Sequence, residues 1–188
     1  MDMPWGSEPA KKFVTNVGLV TSSGPHGDNI MSAEWTHQVS YQPGLILISL
    51  KTTEATYENI IKSKEFGVNL SAQDQNVLAS VAGGSSGKNV DKIGVLKELG
   101  FKFVKARKIN ALMVEGAALN VECKLANKIE AGDHVAFIGE AVEVYSATEK
   151  EPLVYHGQKF WKFGANIPRP QEDEMNRIKA IVEKHTKK

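Results

Sequence analysis

The sequence predicts a mainly β protein, a barrel decorated with short helices. Three observations carry this. At least five segments have strand character, apolar or β-branched and bounded by turn formers. The helical segments between them are short. The regular strand–helix–strand alternation of a doubly wound parallel sheet is absent.

The elements follow in order. The lead, with Pro4, Gly6 and Pro9, has no defined element. Phe13 to Ser22 mixes β-branched and apolar residues and reads as a strand. Gly24, Pro25, Gly27 and Asn29 mark a hairpin into a second strand beginning near Asn29. Pro43-Gly44 is another turn, and Leu45 to Leu50 is the continuous apolar run of a buried strand. From Thr52 to Ser63, Ala55, Tyr57, Ile60 and Ile61 recur at helical spacing. Phe66 to Leu70 returns to a short strand. Ser71 and Asp74 form a capping-box-like start for a helix that stops at Gly83-Gly84. Asp91 reads as the N-cap of a helix over Lys92 to Leu99, ended by Gly100. Ala117 to Ile129 and His134 to Ser146 read as two long antiparallel strands joined through 130–133. Glu172 to Lys184 reads as a charged helix with Met175, Ile178, Ile181 and Val182 on one face.

Composition bounds the function. The 188 residues suffice for one well-filled domain, expected over 1–188 with its barrel core at about 13–163 and a C-terminal helix at about 172–184. Hydrophobic residues at 41% and charged residues at 24% argue against global disorder. Lys plus Arg is 23 against 22 for Asp plus Glu, which removes the electrostatic footprint of a nucleic-acid binder. The single Cys123 makes no internal disulfide, so nothing requires an oxidising compartment. The first residues carry no apolar core of signal-peptide type, and no apolar run approaches the ~20 residues of a membrane helix. A cytoplasmic protein without a nucleic-acid or membrane partner is expected.

Several sharp motifs fail on context. Gly83-Gly84-Ser85-Ser86-Gly87 matches G-x-S-x-G, but a nucleophile elbow needs a strand before its serine, and here a helix precedes it. Gly87-Lys88 lacks the glycine and hydroxyl that a P-loop requires at 82 and 89. The histidines at 26, 37, 134, 156 and 185 form no zinc-type pair, so no metal site is expected. Cys123, within a strand, reads as a small hydrophobe.

Three segments together resemble a known family. They are Asn29-Ile-Met-Ser-Ala-Glu-Trp35 with Val39-Ser40-Tyr-Gln-Pro43; Leu47 to Ile60 running into Phe66-Gly-Val-Asn69-Leu; and Gly132-Asp-His134-Val-Ala-Phe-Ile-Gly139-Glu140. With Ser86-Gly87 and Asp91-Lys92, they resemble in order the flavin reductase-like FMN-binding split barrels. That family includes flavoredoxins and NAD(P)H:flavin or ferric reductases. The resemblance spans about Phe13 to Phe163. It implies a six-stranded antiparallel Greek-key split β-barrel with peripheral α-helices, a homodimer, and FMN reduced by NADH or NADPH.

The residues are compatible with those implications. A phosphate needs hydroxyls, a cation and free backbone N–H groups at a helix start. Lys51, Thr52, Thr53 and Thr56 lie where a buried strand gives way to a helix and supply all three; by themselves they read equally well as an N-capping cluster. Glu54 and Ala55 offer no second cation, which Lys51 or Lys92 would have to compensate. The resemblance implies a ring cradle from Asn29 through Met31, Ser32, Ala33, Glu34 and Trp35 to Thr36, with Trp35 flanking the ring or belonging to the core. It further implies cofactor contacts at Ser49, Leu50, Asn69, Ser71, Ser86 and Lys92. His134 would orient the nicotinamide or relay a proton. The region from Pro152 to Phe163 would form packing and pocket wall. A flavin-only electron carrier, or a flavin-free binding barrel, is the alternative reading.

Overall fold

The computed structural model describes residues 2–146 and 149–186. In chain order the strands and helices are β1 (Val14–Asn16), β2 (Gly18–Ser22), β3 (Asn29–Ala33), β4 (Thr36–Ser40), β5 (Leu45–Leu50), α1 (Ala55–Ser63), β6 (Glu65–Leu70), α2 (Asn76–Gly84), α3 (Lys92–Glu98), β7 (Phe103–Lys105), β8 (Leu112–Val114), β9 (Leu119–Ala131), β10 (His134–Tyr145), β11 (Val154–His156), β12 (Lys159–Trp161) and α4 (Glu172–Lys184).

The main sheet is antiparallel, in the order β3-β2-β6-β9-β10-β5-β4. Its closure follows from one link. β3 and β4 stand at opposite edges, yet only Glu34 and Trp35 separate them in sequence. Three peptide steps reach at most about 10 Å. The sheet must therefore curl until its edges almost meet, which makes it a split barrel. The seam is visible in the bonds: Thr36 Oγ1 donates to Ala33 O at 3.0 Å, and Asn16 Nδ2 donates to Thr36 O at 2.7 Å. Gly18 of β2 passes so close to the Thr36 side chain that any Cβ there would overlap it. The expectation of a mainly β antiparallel barrel with peripheral helices describes this fold. The strand count differs, seven in the main sheet where six were expected.

The core has two parts because β2 is buried on both faces. Successive side chains of a strand point to opposite sides. Val20 joins Ile48, Phe66, Val121 and Phe137 inside the barrel, with Ile60 of α1 closing one end. Leu19 joins Ile30, Leu78, Ile93 and Leu96, so α2 and α3 cover the outer face.

Two helix starts differ from expectation. α1 begins at Ala55, and Lys51–Thr53 remain a turn closed by Glu54 N to Lys51 O at 3.2 Å. α2 begins at Asn76 without a Ser71 cap. The backbone of Ser71 is already engaged, its N–H donating to Val17 O and its carbonyl accepting from Leu153 N. Gln75 Oε1 instead accepts the Ala72 N–H at 2.9 Å. Asp91 caps α3 as expected, accepting from Gly94 N at 2.9 Å. A small sheet, β1-β11-β12, lies outside the main one. Among the described residues, no helix is long and apolar enough to cross a membrane.

Candidate active site

A cleft of about 570 Å³ opens where the barrel seam meets the β9–β10 turn. The β3–β4 link supplies Glu34 and Trp35, preceded by Met31 and Ser32. The end of β5 supplies Ser49, Leu50 and Lys51. Register does the rest: Val135 pairs with Leu50, which brings the preceding Asp133 and His134 beside Lys51. Tyr155, Gly157 and Gln158 close one side, and Met3 to Gly6 another. The volume suits a cofactor-sized ligand, and the walls combine apolar and aromatic side chains with polar and charged ones.

His134 and Trp35 form one wall. Their rings are 4.7 Å apart between centroids and tilted by 57°. His134 Nδ1 and Asp133 Oδ1 are 2.8 Å apart. This bond, then the nearby charges of His134 and Lys51, hold the Asp133 carboxyl below its usual range. With Nδ1 engaged by the carboxylate, Nε2 is the ring nitrogen left for a ligand. Trp35 is 47% exposed, so it is a wall residue and not core. Glu34 is partly buried, and desolvation raises its carboxyl pKa while a hydrogen bond from Trp5 opposes the shift.

The rim at Lys51 is charged, with the acids Glu54 and Asp133 beside the lysine. Lys51 and Thr52 are exposed, and Glu54 is on the cleft lining. Behind them, Asn29 Nδ2 donates to the buried Thr56 Oγ1 at 2.8 Å, and Gly87 packs tightly on the Asn29 amide. Lys92 is buried at 3% exposure, with Nζ donating to Ala82 O at 2.9 Å. Burial lowers its pKa to about 8, against the opposing field of Glu54. A buried ammonium with one hydrogen bond retains donors for an anion.

The other expected residues are placed as follows. Ala33 and Thr36 are buried at the seam and shape the link from behind. Ser86 is half-buried and caps its own loop, accepting from Lys88 N at 3.3 Å. Asn69 is fully buried and spends its amide inside the barrel, donating to Leu19 O at 2.8 Å and accepting from Val114 N at 2.8 Å and Asn120 Nδ2 at 2.6 Å. Ser71 is buried, and its hydroxyl has no hydrogen-bond partner. Neither Asn69 nor Ser71 lines the cleft. Among the described residues, no group of three or more His, Cys, Asp or Glu side chains converges for a metal.

Sequence reasoning missed the lead residues. Trp5 between Pro4 and Gly6 was the available signal, an indole outside every periodic segment. Glu54 and Asp133 also line the cleft, and both follow from their neighbours Lys51 and His134.

Comparison with known proteins shows the family and the fold. The family described as Flavin reductase like domain matches residues 10–164. The NADH-dependent FAD reductase of Streptomyces globisporus is 27% identical over 165 residues, covering 86% of this chain and 84% of that one. The FMN reductase (NADH) of Pseudomonas syringae pv. syringae is 24% identical over 152 residues, covering 81% and 82%. The X-ray structure of flavoredoxin from Methanosarcina acetivorans has a TM-score of 0.77 at 20% identity, over 94% of this chain and 99% of that chain. At that identity the likeness concerns the fold.

Proposed function

We propose a function from one premise: this chain belongs to the flavin reductase like domain family, matched over residues 10–164. In our reading it is an oxidoreductase that takes FMN into the cleft and reduces it with NADH or NADPH. The balance is NAD(P)H plus flavin plus one proton giving NAD(P)⁺ plus reduced flavin. When bound, the flavin supplies the two-electron acceptor. The protein holds, orients and shields.

The observation that carries this reading is the cleft itself. Apolar and aromatic walls lead to Lys51 at one end, beside Glu54 and Asp133, with the buried Lys92 ammonium outside the lining. That donor set suits a flat ring with an anionic tail. Met31, Ser32, Ser49 and Leu50 are assigned to the ring. Lys51, Thr52 and Lys92 are assigned to the phosphate, with Asn29 and Thr56 fixing the turn behind them. His134 and Trp35 are assigned to the nicotinamide side, where the Asp133 contact orients the imidazole. A homodimer belongs to the same proposal, supported by α4, whose residues are all exposed. A cytoplasmic location does too, and the buried thiol of Cys123 is compatible with it.

The test is spectroscopic. Protein loaded with FMN is mixed anaerobically with each nucleotide, and the oxidised-flavin band is followed. Bleaching with at least one nucleotide is expected. A band that persists with both removes the reductase reading and leaves an electron carrier.

A further inference from the structure

One side of the cleft is built by residues outside the family match. The match begins at residue 10, whereas Met3, Pro4, Trp5 and Gly6 precede it and line the cleft. Their placement is specific. Ser7 N donates to Pro4 O at 3.0 Å and Lys11 N to Ser7 O at 3.0 Å, which folds the lead back before β1. Gly6 has φ +82°, and a Cβ on it would lie 2.8 Å from Gln158 Nε2. The segment is therefore seated against Gln158 of the β11–β12 turn, and its positive φ favours glycine at position 6. It holds Trp5 over the cleft, beside Glu34. There Trp5 is 72% exposed. An indole held in a ligand-sized cleft with most of its surface uncovered presents area that a flat aromatic ring would cover.

We infer that Trp5 is a flavin-contacting residue, supplied by a segment outside the family domain, and that it slows release of the flavin ring from the cleft. The inference rests on the flavin reading and deepens it. A chain that carries its own second indole retains its flavin as a resident group, where a cleft without that wall exchanges it freely.

The test measures FMN dissociation by rapid dilution into an excess of apo-flavodoxin as a trap. The proteins are wild type, W5F, W5A and G6A, with folding checked by thermal melting. Stacking on an aromatic side chain is worth about 1–3 kcal/mol, so W5A is expected to release FMN about tenfold faster. W5F retains a ring and is expected to stay within about threefold of wild type on the same scale. G6A keeps the indole but unseats the segment, so it is expected to follow W5A. Release from W5A within twofold of wild type, or slower than wild type, overturns the inference. So does an equal loss in W5F and W5A. Wild-type protein that binds no FMN removes the flavin reading itself, and Trp5's role with it.

Discussion

At the residue scale, the site separates orientation from charge. His134 touches Trp35 and Asp133, and in the proposed reading its removal acts on the nicotinamide step. His134→Ala is expected to slow anaerobic flavin reduction by roughly tenfold or more, in the range of a lost positioning group, while FMN affinity changes little. An unchanged reduction rate rejects the assignment. Lys92 carries a pH dependence. Its pKa in the free protein is lowered to about 8 by burial. A bound phosphate dianion favours the ammonium and raises that pKa. Below about pH 8 the charge is already present and affinity is flat. Above it, binding must recover a proton, so FMN affinity falls as pH rises towards the bound-state pKa. Riboflavin, which lacks the phosphate, is the control and should not follow this trend. Parallel curves for FMN and riboflavin across pH 7–10 would place Lys92 outside the phosphate site. Lys51→Ala combined with Thr56→Ala should likewise weaken FMN more than riboflavin, and equal losses would point to a general loosening of the turn.

At the scale of elements, one buried acid outside the cleft shows how loops are tied to the barrel. Glu122 on β9 is fully buried and accepts from Arg107 N at 2.8 Å, Lys108 N at 2.6 Å and the Tyr145 hydroxyl at 3.2 Å. Glu122→Ala strands two backbone donors, at about 1–3 kcal/mol each. A loss of about 3 kcal/mol corresponds to roughly 6–12 °C in Tm for a domain of this length. A melting point within 2 °C of wild type, on a scale of roughly 2–4 °C per kcal/mol, would mean the loop finds other acceptors. None of this network was legible in the sequence, because nothing near position 122 says which loop will cross it. The long β9 and β10 were legible, since their length and the Gly132 turn are local properties. The break between β3 and β4 was not. Glu34-Trp35 contains neither glycine nor proline, and the chain leaves one sheet edge for the other only because the barrel closes there. For the same reason motif order located Lys51, Trp35 and His134 in the cleft, while the interior roles of Asn69 and Ser71 depend on partners 45 or more residues away or on pairing of their backbone.

At the scale of the whole molecule, the C-terminal arm beyond β12 buries none of its described residues on its own barrel. Every described residue from 162 to 186 is exposed. The arm nonetheless carries Phe163, Ile167, Met175, Ile178, Ile181 and Val182, with Ile167 at 94% exposure. An amphipathic helix owes most of its stability to burial of its apolar face, so α4 calls for a partner surface. A stable interface engages about 20–30 residues on each side, close to the length of this arm. A second copy fits this requirement because it offers the same arm in return, and a two-fold exchange buries both apolar faces at once. The full chain is therefore expected to sediment at twice its monomer mass at micromolar concentration. A chain ending at Gly164 keeps the whole family-matched region and is expected to sediment as a monomer with its barrel melting transition intact. Two results would refute the exchange: a full chain that is monomeric at tens of micromolar, or a truncated chain that dimerises as tightly as the full one. In the second case the contact lies on the barrel, and the apolar face of α4 requires another partner.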